Sequence, residues 1–277
     1  MKKWLLFFGV LSYLVFFVLR LPATYLLEKF SPLPRQIEAY GVEGSIFQGR
    51  AALVQWRGWR FESVTWDFQP LALATGNAEF TVSFRGQEGE GHTQAGMTLS
   101  QELYLKDTHA RIRVGALEPL WRPMVLSLEG WILADLEHVF WKAENLDLLG
   151  KVTLENAIWD SKPPLPFGNF LVLLDTVKEK ATPIQQSDKK NLTEKAPKIQ
   201  EPLGLAIRGQ IADVNGPVQV KGQLLVSLKS NTWRIATSFW PRPKTTEQIR
   251  DLVSLLGAPD REGHYSWSSR GQLPSGF

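Results

Sequence analysis

Apolar and polar side chains alternate with a period of two along much of this chain, and that periodicity restricts the fold more than any other feature. Ala78, Phe80, Val82 and Phe84 interleave with Asn77, Glu79, Thr81, Ser83 and Arg85, which puts the two sets on opposite faces of a strand. The pattern recurs at Ala110, Ile112 and Val114, and at Val152 and Leu154. It returns at Val218, Val220, Leu224, Val226 and Leu228, and at Trp233, Ile235 and Phe239. Turn signals separate the runs: Asn215-Gly216, Ser230-Asn231 and the stretch from Gly86 to Gly91. Strands with one wet face belong to antiparallel sheet, because buried parallel strands read as continuous apolar runs. One helix is well marked. Thr245 and Gln248 form a capping box, Ile249, Leu252, Val253 and Leu256 make one apolar face, and Gly257 and Pro259 end it. A second short helix is expected over part of Phe167–Val177.

The N-terminus obeys a different rule. Trp4 to Leu19 is sixteen residues without a charge, and Arg20 interrupts before a further uncharged stretch from Leu21 to Leu27. A helix rises 1.5 Å per residue, so sixteen residues cover about 24 Å of a hydrocarbon core about 30 Å thick. Arg20 can snorkel to the headgroups and extend the span towards Leu27. Trp4 and Tyr25 sit where interfacial anchors belong. A cleaved signal peptide is the competing reading, but Arg20-Leu21-Pro22-Ala23-Thr24 is a poor cleavage site. Residues 1–27 are therefore expected to be a cytoplasmic tip and uncleaved anchor, with Trp4, Leu19 and Arg20 marking it. Lys2 and Lys3 favour a cytoplasmic N-terminus, leaving residues 28–277 across the membrane as one β-rich domain.

Charge then excludes a function class. The chain carries a formal +3, but Lys2, Lys3 and Arg20 account for the excess, and residues 28–277 hold equal numbers of basic and acidic side chains. A neutral body gives phosphate backbones nothing to bind, so nucleic acid is not an expected partner. The stretch 178–201 has no aromatic residue and six Lys, the composition of a disordered loop between strands. A faint internal echo relates Trp66, Leu71, Leu73 and Gly76 to Trp141, Leu146, Leu148 and Gly150, slipping by one residue at the glycine.

No motif for chemistry emerges. There is no metalloprotease, nucleophile-elbow, Walker or dinucleotide signature. The absence of cysteine removes disulfides, thiolate metal sites and a Cys nucleophile. Gly86, Gly89 and Gly91 are interleaved with Glu88 and Glu90, which would repel a phosphate. His92, His109, His138 and His264 lack ligand spacing. Asp260 follows a proline and reads as a turn residue bonding the backbone. No catalytic, cofactor or metal residue is assigned. Among the eleven tryptophans, Trp56, Trp66, Trp159 and Trp233 fit inward, core-filling strand positions. Trp59, Trp240 and Trp267 fit a membrane-proximal or partner-facing surface.

Several landmarks, in order, resemble the type II secretion system protein N family. They are the anchor leading into Arg20-Leu21-Pro22-Ala23, then Gly44-Ser45-Ile46-Phe47-Gln48-Gly49-Arg50-Ala51, then Val64-Thr65-Trp66-Asp67-Phe68-Gln69-Pro70-Leu71-Ala72-Leu73. Leu126–Gly130 and Gly150–Trp159 are similar to the family's central units. Leu256-Gly257-Ala258-Pro259-Asp260-Arg261-Glu262-Gly263-His264-Tyr265 and Gly271-Gln272-Leu273 close the match. His264 stands where the family often has Arg, and Phe47 where it often has Trp. The resemblance implies structural roles for Gly44, Gly49, Trp66, Pro70, Gly130, Gly150, Trp159, Gly257, Pro259, Asp260 and Gly263. It implies a non-enzymatic, single-pass protein of the bacterial inner membrane, with a curved antiparallel β-sheet domain in the periplasm. Its partners would be other secretion-system components, and its role assembly or protein export across the outer membrane. The family also looks akin to AsmA-like proteins, which gives the alternative of a periplasmic lipid-binding or lipid-handling protein with an apolar groove.

Overall fold

A computed structural model of the chain describes residues 20–24, 37–56, 59–117, 128–142, 145–162, 164–178, 205–227, 230–243, 245–254 and 257–272, with single positions between Trp4 and Tyr13. It is mainly β, and its described strand pairs are antiparallel. Their order in the sheet is their order in the chain. They are β1 (Ile37–Gly44), β2 (Gln48–Trp56), β3 (Trp59–Phe68), β4 (Asn77–Gly86), β5 (Gly89–Thr98), β6 (Leu103–Arg113), β7 (Leu128–Lys142), β8 (Asn145–Trp159), β9 (Leu165–Lys178), β10 (Leu205–Asn215), β11 (Val218–Ser227), β12 (Thr232–Pro241) and β13 (Tyr265–Gln272). One α-helix, α1 (Glu247–Ser254), lies between β12 and β13.

The chain forms two compact units, Met1–Leu105 and Lys106–Phe277. In the first, alternation works as the sequence dictates. Phe68 pairs with Phe80 across β3 and β4, and their rings lie 5.1 Å apart; Phe47 sits 5.2 Å from Phe68. Phe61 and Phe84 make a second edge-to-face pair at 5.1 Å. Such pairs add about 0.5–1.5 kcal/mol each beyond area burial. Tyr104 is buried at the start of β6, and its hydroxyl donates to Glu79 Oε2 at 2.8 Å. Burial, then that bond, then the carboxylate's charge push its pKa from 10 up to about 12.

In the second unit one face of β9–β12 is apolar. Phe170, Ile211, Val220 and Phe239 lie on it, and α1 covers this end with Ile249 and Val253, which meet Val218 and Val220. Each of those four buried side chains contributes on the order of 1.5–3 kcal/mol through burial. Polar contacts seat the helix. Arg242 donates to Asp213 Oδ2 at 2.5 Å and to the Gly216 carbonyl at 2.6 Å. Asp213 Oδ1 in turn accepts the Val220 amide at 2.8 Å.

Several expectations need correction. Phe167–Val177 is not helical: it belongs to β9, bonded on both sides to β8 and β10. Its run Phe170–Leu174 is uniformly apolar, so periodicity cannot separate strand from helix, and two flanking ladders decide it. Thr245 does not form the capping box, because its hydroxyl is hydrogen-bonded to the Pro217 carbonyl. The helix instead opens with the Thr246 carbonyl accepting the Arg250 amide at 3.1 Å. Trp56, Trp66, Trp159 and Trp233 are half-buried, not core. A face that no described element covers leaves large rings partly wet. The internal echo does not persist either, since Leu71 and Leu73 lie in a 3-10 turn (Pro70–Thr75) while Leu146 and Leu148 lie in β8.

No helix among the described residues is long and apolar enough to cross a membrane. Leu19 and Leu27, and most of the expected anchor, lie outside the described residues. The expected loop 178–201 also lies outside them, except Lys178, which ends β9 and pairs with Leu205.

That pairing generates a prediction. The ends of the 179–204 segment are already cross-strand neighbours, about 5 Å apart. Replacing residues 182–200 by a short Gly/Ser bridge is expected to change stability by less than about 1 kcal/mol, because loop-closure entropy varies slowly with length. Urea denaturation of the two proteins checks it. A second prediction concerns Tyr104. Its raised pKa means the folded state holds the phenolic proton more tightly than the unfolded chain. Its stabilisation is therefore full below pH 10 and is lost as pH rises from 10 through about 12. Ultraviolet titration should show a phenol titrating at about 12 that disappears in Tyr104→Phe.

Candidate functional site

The second unit's other sheet face is charged, and its cross-strand groups converge on a groove of about 600 Å3. His109 on β6 bonds Asp135 on β7 at 2.7 Å, and Lys151 on β8 lies 3.4 Å from the same carboxylate. Next along the sheet, Arg208 on β10 grips both oxygens of Asp175 on β9, at 3.2 and 2.6 Å. Register explains the contacts: Asp135 stands opposite Lys151, and Asp175 opposite Arg208. Opposite charges at facing positions stabilise antiparallel pairs. The His109 hydrogen bond lowers the pKa of Asp135, burial opposes this, and Lys151 adds to the lowering.

This groove has an acid–histidine pair beside a lysine but no hydroxyl or thiol nucleophile among its described lining residues. None of its described lining residues is Ser or Thr, and the chain has no cysteine. The arrangement can hold charged and polar ligands at a surface, and its described residues do not assemble a hydroxyl- or thiol-based triad.

The C-terminal motif forms a tight turn. Asp260 Oδ1 accepts the amides of Glu262 and His264, both at 2.9 Å. Its own amide donates to the His264 carbonyl at 2.8 Å. The turn brings His264 Nδ1 within 3.8 Å of both Asp260 and Glu262, a group of three that could ligate a metal ion. Sequence spacing alone had separated His264 from the two acids. One Asp260 oxygen is already engaged by backbone amides, which favours a turn-forming role.

The other motif residues take these places. Gly44 (φ +92) and Gly49 flank the β1–β2 turn, and Gly49 lets the Trp66 ring lie flat against the strand. A Cβ there would come within 2.4 Å of that ring. Trp66 Nε1 donates to the Ser45 carbonyl at 3.1 Å. Pro70 opens the 3-10 turn that Gly76 closes. Gly130 sits where the β7–β8 register shifts, Gly150 faces Leu136 across that ladder, and Trp159 pairs with Leu128 and Leu165 at its end. Gly257 and Gly263 have positive φ, and Pro259 precedes the Asp260 turn. Trp4 is exposed on a helical position, and Arg20 is exposed in a turn. Trp59 packs beside Trp56 and Phe61, Trp240 lies 4.8 Å from the His264 ring, and Trp267 is half-buried in β13. These residues are spread over both units and do not meet at one place.

Comparison with known proteins decides what such a scattered motif belongs to. The family model for type II secretion system protein N matches residues 35–268. The chain belongs to that family. A relative from Vibrio cholerae, named type II secretion system protein N, is 26% identical over 270 residues, covering 92% of each chain. No solved structure matches. The matched span takes in residues of both compact units and runs from before Gly44 to beyond Gly263.

Two carboxylates should therefore respond oppositely to substitution. Asp260→Asn keeps an acceptor for both amides and is expected to change stability by less than about 0.5 kcal/mol. Asp213→Ala removes the buried partner of half-exposed Arg242 and of the Val220 amide, and is expected to cost about 2–3 kcal/mol. Thermal melts of both variants check the contrast.

Proposed function

We propose that the protein is a non-enzymatic, single-pass inner-membrane component of the bacterial type II secretion machinery, acting in assembly or export through protein contacts. Family membership across residues 35–268 supports the secretion role. The observation that carries the protein-contact mode is the sheet order, which among the described residues gives β1 and β13 a strand neighbour on one side only. An open edge presents unpaired amides and carbonyls, the natural template for a partner strand. β13 also places Arg270 directly opposite Arg234, with both side chains exposed. Facing like charges are unfavourable by themselves and favour an acidic partner at that edge.

The anchor reading rests on the uncharged run from Trp4 to Leu19. Its described positions Trp4, Leu6, Phe8, Val10 and Tyr13 are helical and more than half exposed, so the chain's own fold does not cover them. With Lys2 and Lys3 ahead of the run, the N-terminus is cytoplasmic and the sheet units are periplasmic. The motif glycines and Asp260 serve the fold. The family match favours this reading over the lipid-handling alternative.

Two measurements test it. A reporter active only outside the cytoplasm, fused after Phe277, is expected to be active, with the mature chain retaining Met1. A photo-crosslinking residue at Ser268 on β13, in secreting cells, is expected to capture other inner-membrane secretion components. Stoichiometric phospholipid bound to the purified protein, with no protein adduct at Ser268 or at Tyr40 on β1, would overturn the protein-contact mode.

A further inference from the structure

We infer that the end of the first unit bearing the 3-10 turn and the β5–β6 turn is a bilayer-docking surface, inserted into lipid beside the chain's own anchor. This inference rests on the anchor reading above. Leu71 and Leu99 are each 87% exposed, Leu73 57%, Leu103 53% and Met97 45%. Isolated exposed leucines need no explanation, but these form one group. The Leu99 amide donates to the Gly76 carbonyl at 3.1 Å, and the Gly76 amide donates to the Leu73 carbonyl at 3.0 Å. The Leu99 side chain lies directly over Gly76, where a Cβ would come within 2.9 Å of it. The turns therefore sit side by side with leucines at their tips. The first carries no charge from Gln69 to Ala78, and the second, Leu99 to Glu102, carries one, the half-buried Glu102, whose carbonyl closes the turn by accepting the Thr98 amide at 3.0 Å.

What covers these leucines is indicated by how the N-terminal run enters the unit. The Leu21 carbonyl accepts the Ile46 amide at 3.3 Å, and Pro22 bridges to Ser45 in the β1–β2 turn. The Ser45 carbonyl holds Trp66 Nε1, and the Phe47 carbonyl accepts the Phe68 amide at 2.7 Å. Two residues later Pro70 begins the leucine-bearing turn. The apolar run thus joins the sheet at the very end where the leucines project. Antiparallel order demands this grouping: the β1–β2, β3–β4 and β5–β6 connections share one end. The β2–β3 and β4–β5 connections share the other, and the latter is the charged tip Gln87-Glu88. Ten-residue β4 separates the ends by about 30 Å at a rise of about 3.3 Å per residue. A chain emerging from the bilayer at Arg20 brings the leucine tips to the headgroup–acyl boundary, where apolar side chains insert while a half-buried carboxylate such as Glu102 stays at headgroup level. Two attachments, the anchor and the leucine tips, would also fix the unit's tilt against the membrane, which a single flexible tether cannot do.

The absence of cysteine makes the test direct. Full-length protein carrying one cysteine, Leu99→Cys, Leu71→Cys, Val10→Cys or Gln87→Cys, is labelled with an environment-sensitive fluorophore. It is then reconstituted in phosphatidylethanolamine–phosphatidylglycerol vesicles containing lipid nitroxide-labelled either near the headgroup or deep in the acyl chain. The expected result is blue-shifted emission at positions 99 and 71, quenched about two-fold or more by the nitroxide, with Val10→Cys quenched and Gln87→Cys unaffected. Quenching at position 10 but not at 99 and 71 overturns the docking surface and leaves the anchor standing. No quenching at position 10 overturns the anchor itself. Blue-shifted emission at 99 that lipid nitroxide does not quench means a second copy or another protein covers the leucines, and also overturns the proposal.

Discussion

The backbone ladder between strands adjacent in the chain is the interaction on which the rest of this structure depends. Each strand takes its hydrogen-bond partners from the strands immediately before and after it. Such pairing satisfies amides and carbonyls locally, without long crossover connections. It does not by itself create a deep interior. Few described side chains are fully buried, and several of those are alanines, such as Ala51, Ala157, Ala206 and Ala236. Large rings lie half-wet on the faces, and their mutual contacts do part of the work that a second layer does in a sandwich.

Where a second layer exists, charge locates it. Helix α1 rests on β11 through Ile249 and Val253, but apolar contact is not directional and would tolerate other placements. The Arg242 fork onto Asp213 and Gly216, with the Arg242 amide bonded to the Pro217 carbonyl at 2.9 Å, removes that freedom. The same aspartate holds the Val220 amide, so one buried carboxylate joins β10, β11 and the segment leading into the helix. Replacing it disturbs position as well as energy, which distinguishes it from exposed pairs such as Arg50–Glu43.

The residues singled out by the family resemblance make local contacts of this kind. Gly49 exists so that Trp66 can lie against the chain, and Trp66 ties the β1–β2 turn to β3. Asp260 closes a turn with its side chain just before β13 begins. Such residues specify a fold whose exposed features are strand edges, a charged groove and a leucine-tipped end. Those are surfaces for contact.

Much of the fold was legible in the sequence, because period-two alternation is a local property that a strand displays wherever it pairs. β4, β11 and β12 follow the alternating runs closely, the Asn215-Gly216 and Ser230-Asn231 signals mark turns, and α1 lies where its apolar face predicts. The Asp260 turn was legible too, since its bonds reach only two and four residues on. What the sequence could not determine was everything that depends on register. Asp175 meets Arg208 across 33 residues, Asp213 meets Arg242 across 29, and His109 meets Asp135 across 26. Irregularities in the β7–β8 ladder, at Glu129/Trp131 and Leu136/His138, change which face each later side chain takes. No local pattern records that choice. The apolar run of β9 and the hydroxyl of Thr245 were ambiguous for the same reason. Each had a plausible local partner, and only the neighbouring strands, supplied by the tertiary structure, decided which bonds were made.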